Sequence, residues 1–139
     1  MDDLQKAQRS HTMRQIKSTG SSIEDMLCKE LWHRGLRYRK NVANIVGKPD
    51  IVFRKAHVVV FCDGEFWHGY NWSEKKPRIK TNRDYWIPKI EKNISRDRAV
   101  NEKLIAEGWL VIRFWEKQIK SDLKGCADII EGFVRDRLN

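Results

Sequence analysis

Two aspartates and a histidine lie close together in the stretch GKPDIVFRKAHVVVFCDGEFWHGYNW, residues 47–72. Asp50 opens the β-branched run DIVF, and Asp63 follows the second run, HVVVFC. A turn at residues 55–57 would make the two runs a hairpin and would place residue 50 opposite residue 62. Two carboxylates and a backbone carbonyl at one end of a sheet are hard oxygen ligands that Mg²⁺ accepts. The stretch therefore predicts a divalent-metal site.

His68 follows these aspartates and is the histidine within reach of the proposed metal. A neutral imidazole can take a proton from an attacking water, and a nearby metal acidifies that water and neutralises phosphoryl charge. Glu24 is a candidate third acid, although Ser21 followed by Glu24 also fits a helix capping box. Aspartates commonly end strands at turns, so a purely structural interpretation stays open. The chemical interpretation is hydrolysis of a phosphodiester.

The elements that would position these residues follow an α/β pattern. A helix begins after Ser21, and LRYRKNV, DIVF and HVVVFC have the composition of strands. A helical period runs from about Asn82 to Glu107, and WLVIRFW is typical of a buried strand before a last amphipathic helix. The predicted order is α-β-β-β-α-β-α in a mixed sheet. Strands 58–62 and 109–115 should run parallel, because a helix connects them.

The chain shows no internal repeat or linker, which predicts a single domain over residues 21–139. Residues 1–20 differ, because they are polar, strongly basic and carry few apolar side chains. They are either a frayed end or a basic arm that orders on a phosphate backbone. The dispersed cysteines Cys28, Cys62 and Cys126 argue against a disulfide framework and favour a reducing cytoplasm.

The charge balance points to a polyanionic partner. Lysine and arginine outnumber aspartate and glutamate by 28 to 19, a net charge of +9. Nucleic acid is the commonest partner of so basic a domain. No stretch approaches the roughly 20 apolar residues of a membrane span, and the amino terminus has no apolar leader. A membrane partner and export are therefore not expected.

Five motifs resemble the very-short-patch repair endonucleases, in the order in which that family has them and over nearly the whole chain. They are SxxMRxIxSxxSxxE at 10–24, GKPDIVF at 47–53, VVFCDGEFWHG at 59–69, YWxxKIxKNxxRD at 85–97 and GWLVIRFWE at 108–116. The resemblance implies a restriction-endonuclease-like α/β fold. It also implies an enzyme that nicks one DNA strand 5′ to the thymine of a T:G mismatch.

The resemblance also implies a role for each candidate residue of the active site. Asp50 matches a metal ligand, and Cys62 lies where the family supplies a backbone carbonyl to the metal, so its thiol is not needed. Asp63 matches a residue that acts on the metal or its water shell. His68 matches the catalytic histidine, and Glu24 an acid near a second metal or the scissile phosphate. The implied cofactor is Mg²⁺, with two ions when DNA is bound.

The DNA-contacting residues implied by the resemblance are of three kinds: wedges between base steps, readers of the mismatched pair and contacts to phosphate. Taken alone, the aromatic ones could equally pack in a core, and the polar ones could be plain surface residues. The wedges are Phe66, Trp67, Trp86 and Met13; the readers are Lys89 and Asn93; the phosphate contacts are Arg14 and Lys17.

One departure from the family concerns a structural zinc. Relatives that have this zinc place cysteine, histidine, cysteine and cysteine at what are Glu65, Tyr70, Trp72 and Lys117 here. Zinc requires thiolate and imidazole ligands, and a single glutamate cannot replace that set. We expect no structural zinc, and we expect aromatic packing by Tyr70 and Trp72 to hold the loop instead.

The resemblance also implies a monomer, because a mismatch has no two-fold axis and one nick needs one active site. A functional link to a DNA cytosine-5 methyltransferase and a nucleoid-associated location in the cytoplasm go with this interpretation. Two alternatives stay open. One is a restriction-type or branched-DNA nuclease of the same fold, which should dimerise to cut two strands. The other is a non-catalytic DNA-binding relative.

Overall fold

The computed structural model describes residues 22–65 and 68–139, which form one mixed four-stranded sheet with helices on both faces. The strands are β1 (Arg39–Lys40), β2 (Ile51–Phe53), β3 (Val58–Asp63) and β4 (Leu110–Trp115), in the spatial order β1-β2-β3-β4. The helices are α1 (Ser22–His33), α2 (Trp72–Lys75), α3 (Arg83–Ala106), α4 (Glu116–Ser121) and α5 (Leu123–Leu138), with a short 3₁₀ turn at Lys76–Arg78. The predicted α/β class is confirmed, with two short helices, α2 and α4, added to the predicted order.

The sheet pairing follows the connections between the strands. β1, β2 and β3 are antiparallel neighbours, whereas β3 and β4 are parallel. The long connection through α3 allows this parallel pair, because parallel neighbouring strands need a crossover connection. The predicted parallel pair is therefore confirmed.

The register of the β2–β3 hairpin differs from the expected one by one residue. Ile51 pairs with Val60, so the position opposite residue 50 is residue 61 and not residue 62. The prediction was wrong because the turn covers residues 54–57 and not three residues. His57 closes this turn with a φ of 58°, and its ring stacks on Trp109 at 4.2 Å between ring centroids.

Both faces of the sheet carry apolar layers, because successive side chains of β2 and β3 point to opposite sides. On one side, Ile51, Val58 and Val60 pack with residues of α1 and α5 such as Leu31 and Ile130. On the other side, buried residues of β2, β3 and α3 form a second cluster, which includes Val52, Val59, Phe61 and Leu104. The sheet end that carries Asp63 thus lies between α1 and α3.

Two further features bear on the site. None of the helices among the described residues is both long enough and apolar enough to span a membrane. Cys28 and Cys126 are buried and Cys62 is half-buried, and burial raises the pKa of all three thiols. These cysteines are therefore mostly uncharged at neutral pH, and the Cys62 thiol is unsuited to act as a nucleophile.

Candidate active site

The first acidic pair of the site consists of Asp50 and Glu24. Asp50 immediately precedes β2, and its Oδ2 accepts a hydrogen bond of 2.7 Å from the backbone N–H of Cys62. Glu24, in the first turn of α1, is 2% exposed, and its carboxyl group hydrogen-bonds that of Asp50. Burial raises the pKa of both groups, and the charge of Glu24 raises that of Asp50 further. Two acids pressed together in this way share a proton unless a cation replaces it.

Asn41 completes the surroundings of this pair. Its Nδ2 donates to Glu24 Oε2 at 3.4 Å, and its backbone N–H donates to the carbonyl oxygen of Asp50 at 3.0 Å. Its side-chain oxygen, Oδ1, is buried and has no hydrogen-bond partner among the described residues. An unsatisfied buried oxygen costs about 1–3 kcal/mol, and amide oxygens are ligands of hard divalent cations. The residues present here therefore fit Mg²⁺.

A second cluster adjoins the first and is formed by Asp63, His68 and Asp97. One nitrogen or oxygen atom from each of the three side chains lies within 4.8 Å of the other two, a spacing that could hold a metal ion. Among the described residues, no other group of three or more acids, histidines or cysteines has this spacing. His68 Nδ1 lies 2.5 Å from Asp97 Oδ2 and 3.9 Å from Asp63 Oδ1. Asp50 is near enough for the charge of Asp63 to raise its pKa. The structure thus brings Asp50, Asp63 and His68 together, and it adds Asp97 from α3.

The electrostatics of His68 are governed by these two carboxylates. Burial lowers the pKa of the imidazole, but the hydrogen bond to Asp97 and the charge of Asp63 outweigh burial, so the pKa is raised overall. With Nδ1 donating to Asp97, the other ring nitrogen, Nε2, is left to exchange a proton with a substrate or a water. This is the arrangement of a base that a carboxylate orients.

Arg113 of β4 joins the cluster from the neighbouring strand. Its Nη1 donates to both oxygens of Asp63, at 3.2 and 3.0 Å, and its Nε donates to Asn101 Oδ1 at 2.7 Å. Its guanidinium carbon lies 3.9 Å from the centre of the Phe61 ring. Asp97 and Arg113 are functional candidates that the sequence interpretation missed. An arginine within the apolar strand WLVIRFW was a signal, since a charge in such a strand requires a partner.

The second cluster opens into a cavity of about 270 Å³ between β3, β4 and α3. The polar and charged side chains that line it are Asp63, His68, Asp97, Arg98, Asn101 and Arg113. Those from α3 follow the spacing of one helix face, because residues three and four apart are neighbours on a helix. The cavity has room for a phosphate group beside the histidine and the two arginines.

The described residues among the implied DNA contacts lie on α3, away from this cavity lining. Trp86 packs edge-on against the exposed Tyr85, with 4.8 Å between ring centroids, and Lys89 Nζ lies 5.6 Å above the Tyr85 ring. Asn93 Oδ1 accepts a hydrogen bond of 2.9 Å from Arg96. Met13, Arg14, Lys17, Phe66 and Trp67 lie outside the described residues, as does the arm at residues 1–20.

At the four positions where the family resemblance implies zinc ligands, the contacts are made without thiolates. Glu65 Oε2 accepts a 2.7 Å hydrogen bond from the backbone N–H of Lys117, a contact that we call the Glu65–Lys117 clip. Tyr70 packs edge-on against Trp115 at 5.1 Å, and Trp72 Nε1 donates to Glu91 at 3.0 Å. A carboxylate, a phenol, an indole and an ammonium group are not a zinc donor set.

Comparison with known proteins places the chain in a family. The family model described as DNA mismatch endonuclease Vsr matches residues 1–74. The type II nicking enzyme V.NmeDIP of Neisseria meningitidis serogroup C is 48% identical over 99% of this chain and 93% of its own length. V.HpaIIP of Haemophilus parainfluenzae, another type II nicking enzyme, is 48% identical over 86% of this chain and 85% of its own. The DNA mismatch endonuclease Vsr of Escherichia coli is 38% identical over 96% and 82%.

The fold and these similarities define a DNA endonuclease with a restriction-endonuclease-like α/β fold, whose substrate is DNA. Within that class, the chain belongs to the Vsr family of DNA mismatch endonucleases.

Proposed function

We propose that this endonuclease uses Mg²⁺ to nick one DNA strand 5′ to the thymine of a T:G mismatch and so initiates very-short-patch repair. The observation that carries the proposal is the pairing of His68 with Asp97 beside the half-buried Asp50 and the buried Asp63. The names of the relatives, nicking enzymes and a mismatch endonuclease, support the strand-specific and mismatch-specific parts.

The acids divide into metal ligands and supporting groups. Asp50 and the backbone carbonyl of Cys62 would hold Mg²⁺, Asp63 would act on its water shell, and Glu24 would lie near the scissile phosphate. When bound, the ion neutralises charge on the phosphoryl group and acidifies water. The raised pKa values of Glu24 and Asp50 support this role, because a cation would stabilise the charged form of both.

His68 is the proton acceptor in this proposal. Asp97 fixes the ring through Nδ1, so that Nε2 can accept the proton of the attacking water. The negative charge of Asp97 then stabilises the imidazolium that results. The cavity lined by His68 and two arginines is the proposed place of the reacting phosphate.

Recognition of the mismatch is assigned to residues outside the cavity. Phe66, Trp67 and Trp86, with Met13 from the arm, would wedge between base steps, which open at lower cost at a mismatch. Lys89 and Asn93 would read the mismatched pair. Arg14 and Lys17 would bind phosphates, which position the protein but carry no sequence information.

The proposal also covers the oligomeric state, the zinc content and the location of the protein, and the origin of its substrate. It is a monomer without structural zinc, it acts on chromosomal DNA in the cytoplasm, and its T:G substrates arise where a DNA cytosine-5 methyltransferase has acted. The monomer follows from the asymmetry of the lesion, and the absence of zinc from the side chains at positions 65, 70, 72 and 117.

The test compares duplexes that carry T:G, T:C or no mismatch, each with Mg²⁺ or with EDTA. We expect one nick, in the T strand of T:G duplexes, only with Mg²⁺. Asp50→Ala and His68→Ala should lower the nicking rate at least 1,000-fold, on the order of a lost metal ligand or base, and leave DNA binding largely intact. Gel filtration with bound DNA should give one chain per duplex.

Asp136→Ala and His33→Ala are the matched controls, because both side chains are exposed and lie outside the site. Both variants should nick at the normal rate. Equal cleavage of matched and mismatched duplexes would contradict the repair function. Cleavage of both strands by a dimer would favour a restriction-type or branched-DNA nuclease, and binding without cleavage a non-catalytic relative.

A further inference from the structure

Arg113 is a charged residue in the middle of a strand that is otherwise apolar, and it is held from several sides. Two hydrogen bonds from Nη1 to Asp63, one from Nε to Asn101 and the Phe61 ring below the guanidinium fix its plane. These contacts come from β3 and α3, while Arg113 itself belongs to β4. So many constraints make the guanidinium a preorganised group.

Part of this guanidinium remains available. Arginine has five N–H donors, and Nη2, which carries two of them, makes no hydrogen bond with any described residue. Arg113 also lines the cavity that His68 lines. A fixed guanidinium with unused donors at a cavity wall matches the geometry of a phosphate oxygen.

The position of Arg113 within the acid cluster has a second consequence. Asp63, His68 and Asp97 have the spacing of metal ligands, but Arg113 Nη1 lies 3.0 Å from Asp63 Oδ2 and 3.8 Å from Asp97 Oδ1. The arginine already supplies this cluster with a positive charge. It also occupies both oxygens of Asp63 and would repel a divalent cation placed among Asp63, His68 and Asp97.

We propose that Arg113 is the permanent cation of the Asp63–His68–Asp97 cluster, that it donates Nη2 to a non-bridging oxygen of the scissile phosphate, and that Mg²⁺ binds at Asp50 and not within this cluster. This inference rests on the proposed function and assigns a further catalytic residue to the same site.

The first experiment counts bound ions, using Mn²⁺ as the probe and electron paramagnetic resonance to measure the free ion in the presence of T:G duplex. The wild type should bind Mn²⁺, and Asp50→Ala should bind at least one ion fewer per chain. Arg113→Gln, which removes the charge, should bind one ion more per chain than the wild type, because the cluster can then take an ion. Arg113→Lys, which keeps the charge, should bind as many ions as the wild type.

The second experiment tests the contact with phosphate. A duplex with a neutral methylphosphonate at the nick position is compared with the ordinary duplex in EDTA, and affinity is measured by fluorescence anisotropy. Arg113→Gln should bind the ordinary duplex about tenfold more weakly than the wild type, the effect of one charge-assisted hydrogen bond. On the methylphosphonate duplex the two proteins should bind equally, because the charged oxygen is missing.

Arg137→Gln is the matched control, because Arg137 is likewise held by hydrogen bonds, which it donates to the carbonyls of Ala56 and Gly108, but does not line the cavity. It should leave the ion count and both affinities unchanged. Circular dichroism checks folding, and Arg113→Met replaces Arg113→Gln if the latter does not fold.

An equal number of Mn²⁺ ions on the wild type and on Arg113→Gln would overturn the inference and leave the proposed metal dependence standing. If Arg113→Gln lost affinity equally for both duplexes, Arg113 would have a structural role and no contact with the scissile phosphate. No bound Mn²⁺ on the wild type would instead overturn the metal site of the proposed function, and this inference with it.

Discussion

Among the residues of the candidate active site, Asp97 most changes the interpretation of its chemistry. It lies on α3, its Oδ2 is 2.5 Å from His68 Nδ1, and its Oδ1 is 3.8 Å from Arg113. The hydrogen bond to Asp97 raises the pKa of His68 against the effect of burial. A base works only in its neutral form, so the rate should fall as pH drops through this raised pKa.

A first prediction at this scale concerns Asp97→Asn. Without the negative charge, the pKa of His68 should fall, and the acidic limb of the pH–rate profile should move to lower pH by about one unit. The maximal rate should drop at least about tenfold, because an amide can hold the ring in the wrong tautomer. Single-turnover nicking from pH 5 to 9 measures both effects.

Glu102→Gln is the control for Asp97→Asn, since Glu102 is an exposed acid of the same helix. Its profile should match that of the wild type. An unmoved acidic limb in Asp97→Asn would mean that another group accepts the proton.

Asp50 and Asp63 could be identified from the sequence because they stand at the ends of strand patterns, where side chains converge, and His68 because it follows them closely. Asp97 could not be identified in this way, because it lies in a helix with charges at many positions, KNISRDR. There an acid that points inward cannot be told from a solvated one without the packing of α3 on the sheet. Arg113 gave a signal, but its partner could not be named, because the pairing of β3 with β4 sets which side chains meet.

At the scale of elements, the loop after β3 has to carry His68 to α3, and Gly69 makes this possible. Gly69 has a φ of 73°, and a Cβ built on it would overlap the Cδ1 and Cγ1 atoms of Ile94. The backbone of the loop therefore lies directly on the helix, one residue after His68. Ile94 also lines the cavity, which couples the loop packing to the reaction site.

A second prediction follows for Gly69→Ala. Both the positive φ and the contact with Ile94 oppose a methyl group, so the free energy of unfolding should fall by about 1–3 kcal/mol. Displacement of His68 from Asp97 should also slow nicking about 100-fold, the usual effect of misplacing a catalytic group. Urea denaturation and single-turnover rates measure the two effects.

Gly132→Ala is the matched control, because Gly132 lies within α5 with nothing near its added Cβ. Alanine there should raise the stability by up to about 1 kcal/mol and leave the rate unchanged. If Gly69→Ala nicked at the normal rate, the loop would not be what positions His68.

The hairpin shows what the sequence can determine at this scale. The β-branched runs and the parallel pair followed from composition and connection length. The register did not follow, because a turn of three and a turn of four residues are equally compatible with RKAH. Asp50 still reaches the backbone N–H of Cys62, since its carboxylate extends beyond the first residue pair of β2.

At the scale of the whole molecule, the clip between Glu65 and Lys117 joins the loop after β3 to the start of α4. Tyr70 and Trp72 add aromatic packing and a hydrogen bond nearby. The clip and the Tyr70–Trp115 contact connect the loop after β3 to the region around residue 117, which are parts of the chain that the zinc implied by the resemblance would have connected. We therefore expect the folded state to be independent of zinc.

A third prediction tests this independence. A zinc-specific chelator should leave the midpoint of thermal unfolding and the Mg²⁺-dependent rate unchanged, because no ligand set for zinc exists at these positions. Differential scanning calorimetry measures the first quantity, and elemental analysis of the purified protein should find no stoichiometric zinc. One tightly held zinc ion per chain would contradict the description of this loop.

The clip also bears on how the enzyme withstands oxidants. Zinc sites fail under peroxide because their thiolates are oxidised and the metal leaves. Here a carboxylate and a peptide N–H, neither of which peroxide attacks, make the contact between residues 65 and 117. We therefore expect peroxide to leave this contact intact.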